Sequence, residues 1–256
     1  MTVEQNARPL EGKIVIVTGG GGVIGRALCR SFADAGASVA IADLNSPLDI
    51  VRDIESRGGC ATVVADVDVA DSASTDAMVA QVVDTFGGVD ILINNAGFFR
   101  SARRGSFTEI PPAEWDLAFQ VNVRGVWNCT RSAVPSLRAR GGGRVINTGS
   151  NTVFRGVPNF LHYVSSKSAL IGLTRSMARH LGDDRIAVNL LYPDFIPDEA
   201  LNAAQPGNNE RLVQARCFKR TQVPEDLVGA AIFLASEASQ FITGQSLNVN
   251  GGAYFL

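Results

Sequence analysis

The sequence predicts an α/β chain in which a seven-stranded, mainly parallel sheet is doubly wound by helices on both faces. Three observations carry this expectation. Short apolar runs alternate with longer segments of helical period along nearly the whole chain. The first run, KIVIVTG (13–19), is almost continuous in branched residues, as in a parallel strand covered on both sides. A glycine-rich turn, TGGGGVIG (18–25), then joins that run to a helical pattern.

The elements follow in order. Residues 23–35 carry apolar side chains three and four apart, and Gly36 stops the helix. ASVAIAD (37–43) is the second strand, and a polar helix follows to about residue 57. CATVVAD (60–66) is the third strand and 71–86 the next helix. VDILINNAG (89–97) is a strand that ends in a polar turn. The pattern then gives a helix over about 112–140, the strand RVINTGS (144–150), a long helix over about 160–181 and the strand RIAVNLLYP (185–193). Residues 194–223, rich in Pro, Asn and Gln, read as irregular. They follow the carboxyl end of a strand, where such sheets bind ligands, so this is the expected substrate loop. Pro224 opens a helix to about residue 236, and SLNVNGG (246–252) is the seventh strand. No repeat or linker divides the pattern, so residues 1–256 read as one Rossmann-like domain.

Composition excludes several classes. With 46% apolar and 19% charged residues and a net charge of −2, the chain has no footprint for nucleic acid or an anionic membrane. No apolar run approaches the roughly 20 residues that span a bilayer. The start, MTVEQNARPLEGK, lacks the basic and apolar regions of a signal peptide. Cys29, Cys60, Cys129 and Cys217 are scattered without CxxC spacing, and His162 and His180 lack metal-like partners. The expectation is a cytoplasmic protein with reduced, packed thiols, no metal, and a small molecule as its partner.

The glycine turn has a chemical use. Its backbone can approach a pyrophosphate, and the helix that follows offers free N–H groups and a positive dipole end. Asp43, ending the second strand 18 residues beyond Gly25, can accept hydrogen bonds from ribose hydroxyls and would repel a 2′-phosphate. No Arg or Lys occurs at 19–25 or 43–49 to reverse that sign, so the expected cofactor is NAD. Asp66, at the end of the third strand, is placed to reach an adenine amine or is simply a strand-end carboxylate.

A second constellation is HYVSSK (162–167). Only three lysines occur against twenty arginines, yet Lys167 stands one helical turn from Tyr163. A phenol with a reference pKa of about 10 is a poor acid or base at neutral pH, and a neighbouring ammonium favours its ionised form.

TGGGGVIG (18–25), NNAG (94–97), Asn122 in QVNVRG, Ser150 in NTGS, YVSSK (163–167) and LLYP (190–193) together resemble the short-chain dehydrogenase/reductase superfamily over residues 10–252. The thirteen-residue gap from Ser150 to Tyr163 and the further four to Lys167 match its spacing. The resemblance implies Tyr163 as general acid/base, Lys167 to lower its pKa and bind the nicotinamide ribose, and Ser150 to hold the substrate oxygen. It implies that Asn122 positions a water linking Lys167 to solvent. It also implies cofactor contacts from Gly19, Gly22, Val23, Ile24, Gly25, Asp43, Asp66, Val67, Asn94, Ala96, Gly97, Tyr163, Lys167, Pro193 and Ile196. A homotetramer paired through its long helices is the implied assembly, and the apolar tail AYFL fits it.

Three positions depart from the family pattern. Val23 stands where glycine is usual, and a β-branched residue takes positive φ only at a cost. Asp194 replaces the glycine after the strand-end proline, and Asp198 a threonine that contacts the carboxamide.

Phe98, Phe99, Asn151, Thr152, Phe154, Phe160, Tyr192 and Phe195 are the expected substrate pocket, mainly apolar. QVPEDLVGAAIFLAS with FITGQSL is similar to the C-terminal part of NAD-dependent secondary-alcohol dehydrogenases of the 1-phenylethanol dehydrogenase type. A hydrophobic or aryl secondary alcohol is therefore the expected substrate. A sugar or cyclic polyol is the alternative, with Arg100, Arg103, Arg104, Arg155, Asp194 or Asp198 bonding hydroxyls or an acid. An acyl-carrier-protein ketoreductase fits less well, because that role usually draws on NADPH. A nucleotide-binding scaffold without turnover is the reading from another class.

Overall fold

The computed structural model describes residues 8–255; Leu256 of the AYFL tail and residues 1–7 lie outside them. Seven strands form one sheet: β1 (Ile14–Thr18), β2 (Ser38–Ala42), β3 (Cys60–Val64), β4 (Ile91–Asn94), β5 (Gly143–Thr148), β6 (Ile186–Pro193) and β7 (Ser246–Val249). Their order is β3-β2-β1-β4-β5-β6-β7 and every neighbouring pair is parallel. The helices are α1 (Val23–Asp34), α2 (Leu48–Ser56), α3 (Ser72–Phe86), α4 (Pro112–Phe119), α5 (Gly125–Ala139), α6 (Thr152–Arg155), α7 (Leu161–His180), α8 (Glu199–Ala204), α9 (Asn208–Ala215) and α10 (Glu225–Ala235).

The period-two alternation of strands sorts the core onto two faces. Val15, Val17, Val39, Ile41, Ile91 and Ile93 meet Leu28 and Phe32 of α1, Ile50 and Ile54 of α2, and Leu227 and Leu234 of α10. Ile14, Ile16, Ala40, Ala42 and Leu92 meet Met78 and Val82 of α3, Cys129, Ala133 and Leu137 of α5, and Ala178 of α7. Each fully buried branched side chain contributes about 1.5–3 kcal/mol, so these two layers fix the strand register. Cys29 and Cys129 are packed in this core, and burial pushes both thiols up to about 12. Cys60 and Cys217 are instead exposed, and all four are free.

Two segments differ from the sequence pattern. The expected continuous helix over 112–140 is broken by a π turn, Gln120–Arg124, between α4 and α5. The inserted residue turns Asn122 inward, where it is fully buried and bonded to another segment. Residues 194–223 are not irregular throughout, for α8 and α9 form within them. Asp198 caps α8 by accepting from the Leu201 N–H at 2.8 Å, a device that composition does not reveal.

Candidate active site

The carboxyl ends of β1, β4, β5 and β6 open onto one cleft of about 1170 Å³. It lies at the switch point where β1 pairs with β4, outside the sheet edge that parallel α/β folds use for ligands. Asp43 and Asn45 stand at one end, the Gly19–Ile24 turn follows, and Ser150, Tyr163 and Lys167 stand at the other. Leu201, Gln205, Asn208 and Arg211 of the α8–α9 segment cover it.

The glycine turn is held by the neighbouring strand. Asn95 donates from Nδ2 to the Thr18 and Gly19 carbonyls, both at 3.0 Å, and the Thr18 hydroxyl accepts from the Asn95 and Ala96 N–H groups. Gly19 has φ of 61°, and a Cβ there would lie 2.8 Å from the Ala96 Cα, so no other residue fits. The strain expected at Val23 does not arise: Gly22 is the N-cap, and Val23 opens α1 without a positive φ. Asp43 Oδ2 accepts from the Gly21 N–H at 2.9 Å, and Oδ1 accepts from the Asn45 N–H at 3.0 Å. The carboxylate is thereby fixed at the cleft wall. A glycine turn leading into the N-terminus of α1 at one end, a fixed carboxylate beside it and a phenol at the other form a cradle that suits a dinucleotide.

At the far end, β5 presents Ser150 and α7 presents Tyr163 and Lys167. The Ser150 hydroxyl accepts from Thr152 Oγ1 at 3.0 Å and from the Thr152 N–H at 3.3 Å, and it lies within hydrogen-bonding reach of the Tyr163 phenol. Lys167 is buried and donates to the Thr148 carbonyl at 2.8 Å. A Cβ on Gly97 would lie 3.2 Å from Asn122 Oδ1 and 3.4 Å from Lys167 Nζ, so amide and ammonium face the same spot.

Comparison with known proteins decides the family. A family model described as enoyl-(acyl carrier protein) reductase matches residues 21–254. The 3-oxoacyl-(acyl-carrier-protein) reductase of Staphylococcus aureus is 33% identical over 245 residues, covering 94% of this chain and 98% of that protein. This chain belongs to the short-chain dehydrogenase/reductase family. A 3α-hydroxysteroid dehydrogenase from Mediterraneibacter gnavus is 34% identical over 249 residues, covering 95% of this chain and 98% of the relative. A Sinorhizobium meliloti crystal structure, provisionally assigned as a short-chain alcohol dehydrogenase, superposes with a TM-score of 0.89 at 29% identity, covering 96% and 98% of the two chains. The chain is thus an oxidoreductase of the short-chain dehydrogenase/reductase type, whose fold binds a nicotinamide cofactor.

In this short-chain dehydrogenase/reductase the electrostatics differ from expectation. Burial pushes the Tyr163 phenol up to about 12, outweighing the Ser150 hydrogen bond and then the Arg104 and Arg155 charges that pull it down. Burial pushes Lys167 down to about 8. Without cofactor, desolvation therefore dominates both groups. The cations acting on the phenol are the two arginines.

Several expected residues stand outside the cleft. Asn94 is buried, donating to Asn147 Oδ1 at 2.9 Å and to Thr130, so it ties β4 to β5 and α5. Gly25 has no cleft surface: a Cβ there would meet the Gly19 carbonyl at 2.2 Å, so its place is to seat α1 on the turn. Asp66, with φ of 58°, points into solvent while Val67 and Asp68 reach the cleft. Tyr192 is buried under Gly149 against Phe154, at a ring distance of 5.0 Å. Asn151 is buried, its N–H spent on the Pro193 carbonyl at 3.0 Å. Phe160 lies behind Tyr163, stacked on it at 4.5 Å. Asn122, buried beside the cleft, ties two segments together: Oδ1 accepts from the Phe98 N–H at 2.8 Å, and Nδ2 donates to Ser166 at 2.9 Å and to the Phe98 carbonyl. The remaining expected residues, Gly19, Gly22, Val23, Ile24, Asp43, Val67, Ala96, Gly97, Phe98, Phe99, Ser150, Thr152, Tyr163, Lys167, Pro193, Phe195 and Ile196, all border the cleft. His162 is buried near Glu114, with Nε2 3.3 Å from Oε1, and no metal-binding cluster occurs among the described residues.

Sequence reasoning missed two features. Arg26 reaches the Asp43 end of the cleft, donating to the Gly21 carbonyl at 2.8 Å and pairing with Asp49. It stands directly after Gly25, one residue beyond the glycine turn. The two departures in the substrate loop are structural anchors. Asp194 takes Arg216 at 2.9 Å and Arg155 at 3.3 Å, and Asp198 pairs with Arg100 besides capping α8.

Proposed function

We propose that this protein is an NAD-dependent enzyme that interconverts a secondary alcohol and a ketone. The convergence of Ser150, Tyr163 and Lys167 on the end of the cleft opposite Asp43 carries the reading. The glycine turn would hold the pyrophosphate, Asp43 the adenosine ribose, and Lys167 with Gly97, Pro193 and Ile196 the nicotinamide end. The coenzyme supplies or accepts the hydride.

The side chains handle the proton. Thr152 occupies the lone pairs of Ser150, so the single serine hydrogen is directed to the Tyr163 phenol and would turn to the substrate oxygen when a ketone enters. Tyr163, neutral in its buried setting, is poised to give its proton to a ketone oxygen and to take it back in the reverse direction. Lys167 holds charge beside the reacting end, and Asn122 positions it by anchoring Phe98 to Ser166 on α7. Phe98, Phe99 and Phe195 give the substrate an apolar wall suited to an aryl or alkyl body. The polyol alternative weakens because Asp194 and Asp198 are committed to arginines. NAD is favoured over NADP because Asp43 faces the ribose position and Arg26 is neutralised by Asp49.

The chain is read as one dinucleotide-binding unit acting in the cytoplasm as a homotetramer, with half-exposed Trp127 and Leu117 on α4–α5 as apolar surface for pairing. A screen of secondary alcohols with NAD and NADP, followed by reduced-nicotinamide absorbance, tests the function. Turnover with NAD and an aryl alcohol supports it. Cofactor binding without turnover of any alcohol points to a scaffold.

A further inference from the structure

We propose that Arg104 and Arg155 form a carboxylate-binding subsite, so that the substrate joins an apolar, aryl-type body to a carboxylate remote from its reacting carbon. The inference rests on the alcohol–ketone reading above and names its substrate class.

The first ground is charge balance. Arg100 has Asp198 as its partner. Arg155 and Arg216 share the single carboxylate of Asp194, which is completely buried. Arg104 has no carboxylate or hydrogen-bond partner among the described residues, although it borders the cleft. Four guanidiniums therefore face two carboxylates at the substrate end, and the excess is positive. Arg211, opposite them on α9, adds a fifth cation whose polar partner is Asn208 rather than an acid.

The second ground is placement. The Arg104 guanidinium lies 4.0 Å from the centroid of Phe160, and Phe160 stacks on Tyr163 at 4.5 Å. Arg104 is thus one ring away from the phenol, with the rest of its side chain open to solvent and to the cleft. Burial lowers its pKa, the Tyr163 phenol partly offsets this, and the nearby Arg155 charge lowers it again. The Arg155 side chain is only 11% exposed, and its Nε is buried without a partner. A buried donor left unpaired costs about 1–3 kcal/mol, and a ligand oxygen would relieve that cost.

The third ground is the match to a ligand. A planar guanidinium offers paired N–H donors that fit the two oxygens of a carboxylate. Phe98, Phe99 and Val157 border the same end of the cleft, so the group between the carboxylate and the carbinol is apolar. Neither a neutral alcohol nor a polyol would draw on the unpaired charge of Arg104 beside an Arg155 that shares its carboxylate.

The experiment compares para-(1-hydroxyethyl)benzoate with its methyl ester, using wild type, Arg104→Gln and Arg104→Lys. For wild type, kcat/KM for the acid is expected to exceed that for the ester on the order of tenfold or more. Arg104→Gln should collapse that ratio, and Arg104→Lys should restore part of it. In parallel, calorimetry with the NADH-loaded protein measures binding of para-acetylbenzoate, expected to weaken on the order of tenfold in Arg104→Gln. An acid-to-ester ratio near one, or one that Arg104→Gln leaves unchanged, overturns the subsite, even if both alcohols are oxidised. Arginines that merely lowered the Tyr163 pKa would give that second result. Arg104-dependent binding of para-acetylbenzoate without turnover of either alcohol would support the subsite while defeating the dehydrogenase reading.

Discussion

The two ends of the cleft are built from different material. The adenosine end is backbone: the Gly19–Ile24 turn, clamped by Asn95 and Thr18, with Asp43 braced on the Gly21 N–H. The substrate end is a set of charged side chains from loops far apart in sequence. Arg100 meets Asp198 across 98 residues, and Asp194 meets Arg216 across 22. The first end is a short backbone turn that side chains 22 to 77 residues away hold in place. The second is made of ion pairs between side chains, and two of the three departures from the family pattern, Asp194 and Asp198, lie there.

That contrast can be broken most severely at Asp194. Asp194→Ala leaves Arg216, 1% exposed at its side chain, without its counter-charge, and should cost about 3–5 kcal/mol. Arg100→Ala breaks a largely exposed pair and should cost no more than about 1 kcal/mol. Denaturant melts of the two variants measure the difference. Equal losses would mean that the buried pair is no more than surface charge, and the comparison would fail.

A smaller effect tests the adenosine end. Asp43→Ala should weaken NAD binding on the order of tenfold and raise the relative affinity for NADP, read by calorimetry with both coenzymes. An unchanged preference would show that Asp43 only braces the turn. This outcome sharpens the comparison, because it asks whether the backbone end also carries side-chain specificity.

The smallest effect concerns Lys167. Its pKa falls from 10.5 to about 8 in the folded protein, so the unfolded chain binds more protons between those values. Wild-type stability should therefore rise as pH climbs through about 8 toward 10.5, and the full penalty is present below about 8. Lys167→Met removes the penalty and should be more stable by about 1 kcal/mol at neutral pH, with the gap closing in alkali. Melts across that range check the sign. A variant less stable than wild type at neutral pH would show that the bond to Thr148 outweighs burial.

The strands and the backbone end were legible in the sequence, because branched runs and a glycine turn after the first strand leave few alternatives. Tyr163 and Lys167 were legible from their helical spacing, and Ser150 from the family resemblance whose spacing it matches. Tyr192 and Asn151, near strand ends, and Phe160, at the start of α7, were misplaced because an apolar or amide residue there can face the cleft or the core, and the pattern does not say which. The π turn at Gln120–Arg124 was invisible because its cause, the Asn122 bonds to Phe98 and Ser166, is tertiary. The departures at Asp194 and Asp198 were seen as losses. Their partners, Arg216 and Arg100, could not be found without the fold.

The account stands most directly on the phenol. NAD binding and initial oxidation rate are measured for wild type and Tyr163→Phe with one aryl secondary alcohol. The account predicts coenzyme affinity within about twofold of wild type and a rate lower by roughly a hundredfold to ten-thousandfold, the usual contribution of a positioned acid or base. A folded Tyr163→Phe protein that oxidises the alcohol at the wild-type rate would contradict it.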